Sequence, residues 1–258
     1  MADPLHQFKI EKIVDLPDIT LPGVGLVDFA ITNSHIAMTA AFGIVVLFLA
    51  MATANAKVVP GRLQAVGEEM FGLIDNLTTS IIGHEGRSLF PFVFTIFTLI
   101  LGMNFLGLFL SFTATSQIAV TATFGVLTIG LVLIIGFAKH GLGFFKLFVP
   151  SGVPWVLLPV IVLIEFVSFL LRPITLTLRL FGNMMGGHVA LKVFAGFVAI
   201  AVSGSLGWMV GVPVGAMSLA MTTALTALEF LVAFLQAFVF AVLTCIYLND
   251  VVNLGHGH

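Results

Sequence analysis

Three stretches of this chain, residues 36–54, 88–112 and 118–138, contain no Asp, Glu, Lys or Arg at all. Each is about 20 residues or longer, enough at a rise of 1.5 Å per residue to cross a hydrocarbon layer of about 30 Å as a helix. In lipid, only helices and closed barrels satisfy every backbone N–H and C=O, and no ten-residue alternating pattern of a barrel occurs. Composition points the same way. The 258 residues are 59% hydrophobic and 9% charged, with 26 Phe and a mean hydropathy of +1.18, too little polar material to cover a water-soluble surface. The expected fold class is an all-α membrane protein in contact with the lipid bilayer.

A net charge of −2 argues against nucleic acid or another polyelectrolyte as partner. The single cysteine, Cys245, lies in an apolar run and excludes an intrachain disulfide or a cysteine-built metal centre. No cofactor motif occurs, and no metal site is expected. His84-Glu85-Gly86-Arg87 lacks the second histidine of a zinc protease helix, and the His256 and His258 tail reads as a mobile end. Residues 1–34 mix Asp3, Lys9, Glu11, Lys12, Asp15 and Asp18 with prolines and lack the apolar core of a secretory signal, so they read as a polar arm.

The whole chain, 1–258, reads as a single membrane domain. A first span is expected at 36–57. Lys57 and Arg62 follow it, and Lys139 and Lys146 follow the run ending at Ala138, so these ends are expected to be cytoplasmic, with the N-terminus outside and the C-terminus cytoplasmic. Residues 61–83 are too polar to span, with Arg62, Gln64, Glu68, Glu69, Asp75 and Asn76. Their apolar residues recur with helical spacing as Leu63, Val66, Met70, Leu73, Ile74, Leu77 and Ile81, giving an amphipathic helix in the inner interface, or one packed on protein. Residues 89–138 form a helical hairpin with its turn at 113–117. Asn104 is the one amide in its first arm, and it must face protein or water.

The second half has a different texture. Residues 154–202 and 214–250 show no internal loop, while 203–213 carries Gly204, Gly207, Gly211 and Pro213 as turn chemistry, and 251–258 is a tail. Helices of these lengths run to about 55–75 Å, beyond the hydrocarbon thickness. Two long, steeply tilted helices forming a hairpin are therefore expected, with bends at Pro173 and at Gly186-Gly187. The rival is a loop at 172–192 between ordinary spans.

Charge is placed along these helices with a step of seven. Glu165, Arg172 and Arg179 each fall about 20° from the last at 100° per residue, and Ser168, Thr175 and Asn183 lie three or four residues away on the same side. Thr222, Glu229 and Gln236 repeat the step on the second helix. An intramembrane ionisable group costs at least about 2.5–3.5 kcal/mol, so both seams should face protein or a water-filled cleft. His188 lies about 13–14 Å along the axis from Arg179. An antiparallel hairpin would let His188 and Glu229 meet as a proton-exchanging pair, since imidazole and carboxylate both titrate near neutrality. Arg179 has no such role, because a guanidinium keeps its charge.

The run Arg172-Pro173-Ile174-Thr175-Leu176-Thr177-Leu178-Arg179-Leu180-Phe181-Gly182-Asn183-Met184, followed by Gly187, resembles the signature of subunit a of F-type ATP synthases. Leu235-Gln236-Ala237-Phe238-Val239-Phe240, followed by Leu243-Thr244 and Tyr247-Leu248, resembles that family's last helix. The resemblance implies a stator that conducts protons through two offset half-channels to the carboxylates of a rotating subunit c ring. Subunit b of the peripheral stalk and other ATP synthase subunits would be further partners. Arg179 would be the essential arginine facing the ring carboxylate, with Gln236 opposite it and Asn183 one turn away. His188 and Glu229 would be the ionisable pair of the outer half-channel, in the His-then-Glu order. Glu165, Ser168 and Thr175 would line the inner one.

Such a chain makes and breaks no bond itself, and a bacterial inner membrane is its expected place, with a mitochondrial inner membrane as the alternative. A self-contained ion-coupled carrier, with Arg179 binding an anionic substrate at the midplane, is the alternative, although no inverted repeat is evident. Arg172 next to Pro173 reads either as a channel residue or as a structural one near the kink. Lys192 reads as an interfacial anchor.

Overall fold

The computed structural model describes residues 12–15, 19–21, 25–27, 30–54, 56–83, 85–109, 114–149, 154–203 and 207–254. Among the described residues six α-helices follow four short strands, and five of the helices are long and apolar enough to cross a membrane. The chain is an all-α membrane protein in its architecture. Contacts gather into two compact units, one of Met1–Ile44, Leu101–Gln117 and Phe181–Leu235, the other of Val45–Ile100, Ile118–Leu180 and Gln236–His258.

The first unit opens with a departure from the expected polar arm. Strand β1 (Lys12–Asp15) pairs antiparallel with β4 (Ala30–Thr32), and β2 (Ile19–Leu21) with β3 (Gly25–Val27). Extended pairing satisfies backbone groups that a run with prolines at 17 and 22 cannot satisfy as a helix. Helix α1 (Asn33–Thr53) then starts three residues before the expected position. Asn33 and His35 account for this, since Asn33 Oδ1 accepts from Ser34 N at 3.0 Å and His35 Nδ1 from Thr32 N at 3.2 Å. These polar side chains occupy donors that a helix start leaves open.

Helix α2 (Arg62–Ile82) is the amphipathic one. Ile74, Thr78 and Ile82 are its buried line, while Leu63 and Val66, elsewhere on the apolar arc, stay exposed. One side of that arc packs on protein and the other is exposed. Gln64 clips the preceding loop: its amide bonds both the N–H and the C=O of Lys57, each at 3.0 Å. Gly83, at φ 83°, ends the helix with its N–H on Thr79 O. Gly86 is needed for space, because a Cβ there would sit 2.7 Å from the Thr78 carbonyl oxygen.

The two arms expected within 89–138 are helical, as α3 (Gly86–Phe109) and α4 (Ile118–His140). Residue 113 of the expected turn lies outside the described residues, and Ala114–Ser116 is a 3-10 turn. Beyond α4, a second 3-10 segment, Gly141–Phe148, folds back in the second unit. Its Phe144 ring fits against Gly136, and Phe148 meets Phe166 and Phe169 edge-on with centroids 5.6 Å apart.

Helices α5 (Leu158–Val202, 45 residues) and α6 (Gly207–Val252, 46 residues) are the long pair. At 1.5 Å per residue each is about 68 Å long, more than twice the hydrocarbon thickness. α5 is helical from end to end through Pro173 and Gly186-Gly187, so the rival loop at 172–192 is not formed. It begins at Leu158 rather than 154. The turn is shorter than expected. Gly207, Gly211 and Pro213 belong to α6, and Gly204 lies outside the described residues, as does the tail 255–258. The reason lies in the neighbouring helix end: a Cβ at Gly211 would come 3.2 Å from Ala201 O, and one at Gly215 3.0 Å from Ala201 Cβ. That close approach offsets the one ladder bond lost at Pro213.

Gly125 of α4 meets α5 most tightly, since its Cβ would fall 2.7 Å from Thr177 Oγ1 and 3.1 Å from Pro173 O. Nothing lies within 4 Å of a Cβ at Gly130. Gly125→Val is expected to destabilise by about 1–3 kcal/mol and Gly130→Val by much less. Thermal unfolding of the detergent-solubilised protein checks this, and equal midpoints would contradict the packing described.

Candidate functional site

The buried line of α5 in the second unit is Phe169, Leu176 and Leu180, each at most 6% exposed. The charged stripe falls on the flank of that line. Arg179 is exposed, as is its chain neighbour Leu178, and it makes no hydrogen bond or ion pair among the described residues. No hydrogen bond joins it to Gln236. Gln236 is buried, 4% exposed, on α6 of the same unit. Its amide faces the protein interior, as a polar side chain on an apolar helix must.

Glu165 is half-buried and Ser168 exposed. Ser168, Arg172 and Thr175 are the polar side of an open groove of about 490 Å³ along α5, whose remaining wall is Leu163, Ile164, Val167 and Leu171. The Thr175 hydroxyl is already engaged, donating to Leu171 O and Arg172 O at 3.0 Å each. Arg172 turns aside from the groove to an ion pair: its Nη1 donates to Asp250 Oδ2 at 2.8 Å. Asp250 was not foreseen as a site residue. The signal was present, since Thr222, Glu229, Gln236, Leu243 and Asp250 continue one step of seven.

In the first unit, Asn104 of α3 is fully buried and its Nδ2 donates to Ala233 O on α6 at 3.2 Å. The amide thus joins two helices. Its Oδ1 has no partner. Glu229 stands one turn before Ala233, 9% exposed, and neither of its carboxylate oxygens is hydrogen-bonded.

The Glu229 carboxylate lies against Gly187 of α5, so closely that a Cβ there would collide with Oε1 and come 3.1 Å from Cδ. His188 is the next residue and half-buried. The hairpin thus brings Glu229 to the backbone beside His188, without the direct bond that a pair in contact would make. Asn183 is exposed, as is Lys192 one turn beyond His188. Among the described residues no group of three or more His, Cys, Asp or Glu could hold a metal ion.

The sequence model of the ATP synthase A chain family matches residues 35–249. The ATP synthase subunit a of Rhizobium johnstonii is 52% identical over 258 residues, covering 100% of this chain and 99% of the relative. The ATP synthase subunit a of Rhizobium etli is 52% identical over 257 residues, covering 99% of each. That of a Chelativorans species is 50% identical over 256 residues, again covering 99% of each.

The Glu229 contact has a direct consequence. Gly187→Ala must displace the carboxylate, while Gly186→Ala meets nothing within 4 Å. Gly187→Ala is expected to lower thermal stability by about 1–3 kcal/mol and Gly186→Ala to be neutral or mildly stabilising. Equal unfolding midpoints for the two variants would contradict the placement of Glu229.

Proposed function

The chain belongs to the ATP synthase subunit a family, and from that premise we propose that it is the membrane stator of the synthase's proton channel, conducting protons through two offset half-channels to and from the carboxylates of a rotating subunit c ring. Membership in this family sets aside the self-contained carrier. Its partners are other ATP synthase subunits, the c ring and the b stalk among them. It sits in a bacterial inner membrane with the N-terminus outside and the C-terminus cytoplasmic, and forms no bond itself.

The observation that carries this reading is Arg179, exposed amid apolar side chains with no counter-ion among the described residues. A permanent charge at that depth calls for a negative partner from outside the chain, and a ring carboxylate supplies one. The guanidinium favours the ionised form of each carboxylate as it passes. Because it gives up no proton itself, it also bars direct transfer between the half-channels. A proton crossing the full potential releases about 2.3 kcal/mol per 100 mV, and with that bar in place the energy emerges only as rotation.

Glu229 and His188 serve the outer half-channel. Both Glu229 oxygens are unbound by protein, so they can accept from water or an entering proton, and His188 is beside the glycine that the carboxylate touches. Asn104 of α3, whose Oδ1 is likewise unbound and whose Nδ2 meets Ala233 one turn along α6 from Glu229, adds an acceptor in the same unit. Glu165, Ser168 and Thr175 serve the inner half-channel, supported by the open groove that Ser168 and Thr175 line. Gln236 and Asn183 shape the surroundings of Arg179.

Two outcomes test this reading. Arg179→Ala is expected to reduce ATP synthesis by energised inverted membranes to background, and normal synthesis would overturn the assignment. The double variant His188→Ala with Glu229→Ala is expected to lower passive proton conductance of the membrane sector by at least about tenfold, a proton-relay magnitude. Unchanged conductance would remove both residues from the outer path.

A further inference from the structure

Arg172 shares the stripe of Arg179 but is held quite differently. Besides its 2.8 Å bond to Asp250, its guanidinium stands over the Tyr247 ring at 5.0 Å and the Phe169 ring at 5.7 Å from their centroids. The ion pair and both rings belong to the same compact unit as Arg179 and Gln236. Tyr247 is within electrostatic reach of Arg179 as well as of Arg172 and Asp250.

The position of Asp250 makes the pairing informative. An acid in the last turn of a helix meets the negative end of the helix dipole, an unfavourable place unless a cation is supplied. Arg172 supplies it from α5. The same end of α6 is tied twice more, with the His140 ring nitrogen bonded to Val251 O at 2.9 Å and Asn253 Nδ2 donating to Ile82 O at 3.2 Å. Together these bonds anchor the end of α6 to α5, α4 and α2.

An interface between two long apolar helices has few features that oppose sliding, and single polar pairs are a recognised means of fixing register. A fixed, planar guanidinium that is ion-paired and stacked is well suited to the task. We propose that the Arg172–Asp250 pair, seated on Tyr247, is a register lock between α5 and α6 whose role is to position Arg179. Arg172 and Asp250 are positioning residues, outside the proton path. This rests on the stator reading, in which a guanidinium displaced by about 1 Å can cost up to a hundredfold in rate. Arg172 lies two turns before Arg179 on one continuous helix, so a shift of α5 in its seat carries Arg179 with it.

The test uses the assembled synthase in inverted membranes, with each reading scaled to the amount of complex present. Arg172→Gln and Asp250→Asn are each expected to lower ATP synthesis by at least about tenfold and to raise passive proton leak, because a displaced Arg179 no longer separates the half-channels. The exchange variant, Arg172→Asp with Asp250→Arg, is expected to reverse most of both changes. A residue that only held the fold would change the amount of complex and leave the leak per complex unaltered.

Unchanged leak in the single variants, or no recovery in the exchange variant, overturns the lock. If a single variant fails to assemble, Arg172→Lys, which keeps the charge and loses the planar stacking, is read instead: a partial rise in leak supports the lock and wild-type coupling overturns it. Arg179→Ala is measured alongside. Synthesis surviving in that variant overturns the stator reading, whereas its loss together with wild-type coupling in the Arg172 and Asp250 variants overturns the lock alone.

Discussion

A guanidinium that keeps its charge under all conditions cannot rest unpaired in an apolar environment without large cost. The structure answers this constraint in two ways on one helix. Arg172 is compensated from within the chain, by Asp250 and two aromatic rings. Arg179, seven residues on, is exposed and has no counter-ion among the described residues. That contrast is what the proposed roles rest on: Arg172 is satisfied within the chain, and Arg179 is not. It also explains why the buried line of Phe169, Leu176 and Leu180 runs beside the stripe rather than over it: the packed face holds α5 in place and leaves Arg179 free to face outward.

The carboxylates divide in the same manner. Asp250 is committed to an ion pair, while Glu229 is buried without a hydrogen bond to either oxygen. A buried acid with no protein partner is a poor structural element, since an unsatisfied polar group costs stability. In the proposed outer half-channel, that carboxylate is a group that exchanges protons. Glycine creates the room for it, because Gly187 is the only residue type that leaves the carboxylate its place against the α5 backbone. Small residues elsewhere act similarly, with Gly125 and Gly211 letting helix backbones approach where a side chain would hold them apart.

Much of this is legible in the sequence. Uncharged runs of membrane-spanning length determine the helices, and their lengths alone distinguish the ordinary spans from the two long ones. The amphipathic spacing from Leu63 to Ile81 identifies α2. A step of seven identifies the polar seams, because that spacing returns nearly to the same face of a helix. Other features depend on neighbours distant in the chain. The turn between α5 and α6 is shorter than its glycines suggest, since Gly211 and Gly215 are packing positions against Ala201. The strands near the N-terminus arise from pairing between Lys12–Asp15 and Ala30–Thr32, a contact with no periodic signature of its own. Asp250 continues the seam, but its partner lies 78 residues away in the chain, and only the folded position of Arg172 pairs it.

The central claim is that Arg179 is the fixed charge that meets a moving carboxylate and keeps two water paths apart. An experimental structure of the assembled membrane sector addresses it most directly. The account predicts a ring carboxylate facing the Arg179 guanidinium, directly or through one water. It also predicts ordered water reaching Glu229 from one side of the membrane and Glu165 from the other, with a break at Arg179. An Arg179 side chain directed into lipid, or a continuous water path past it, would contradict the account.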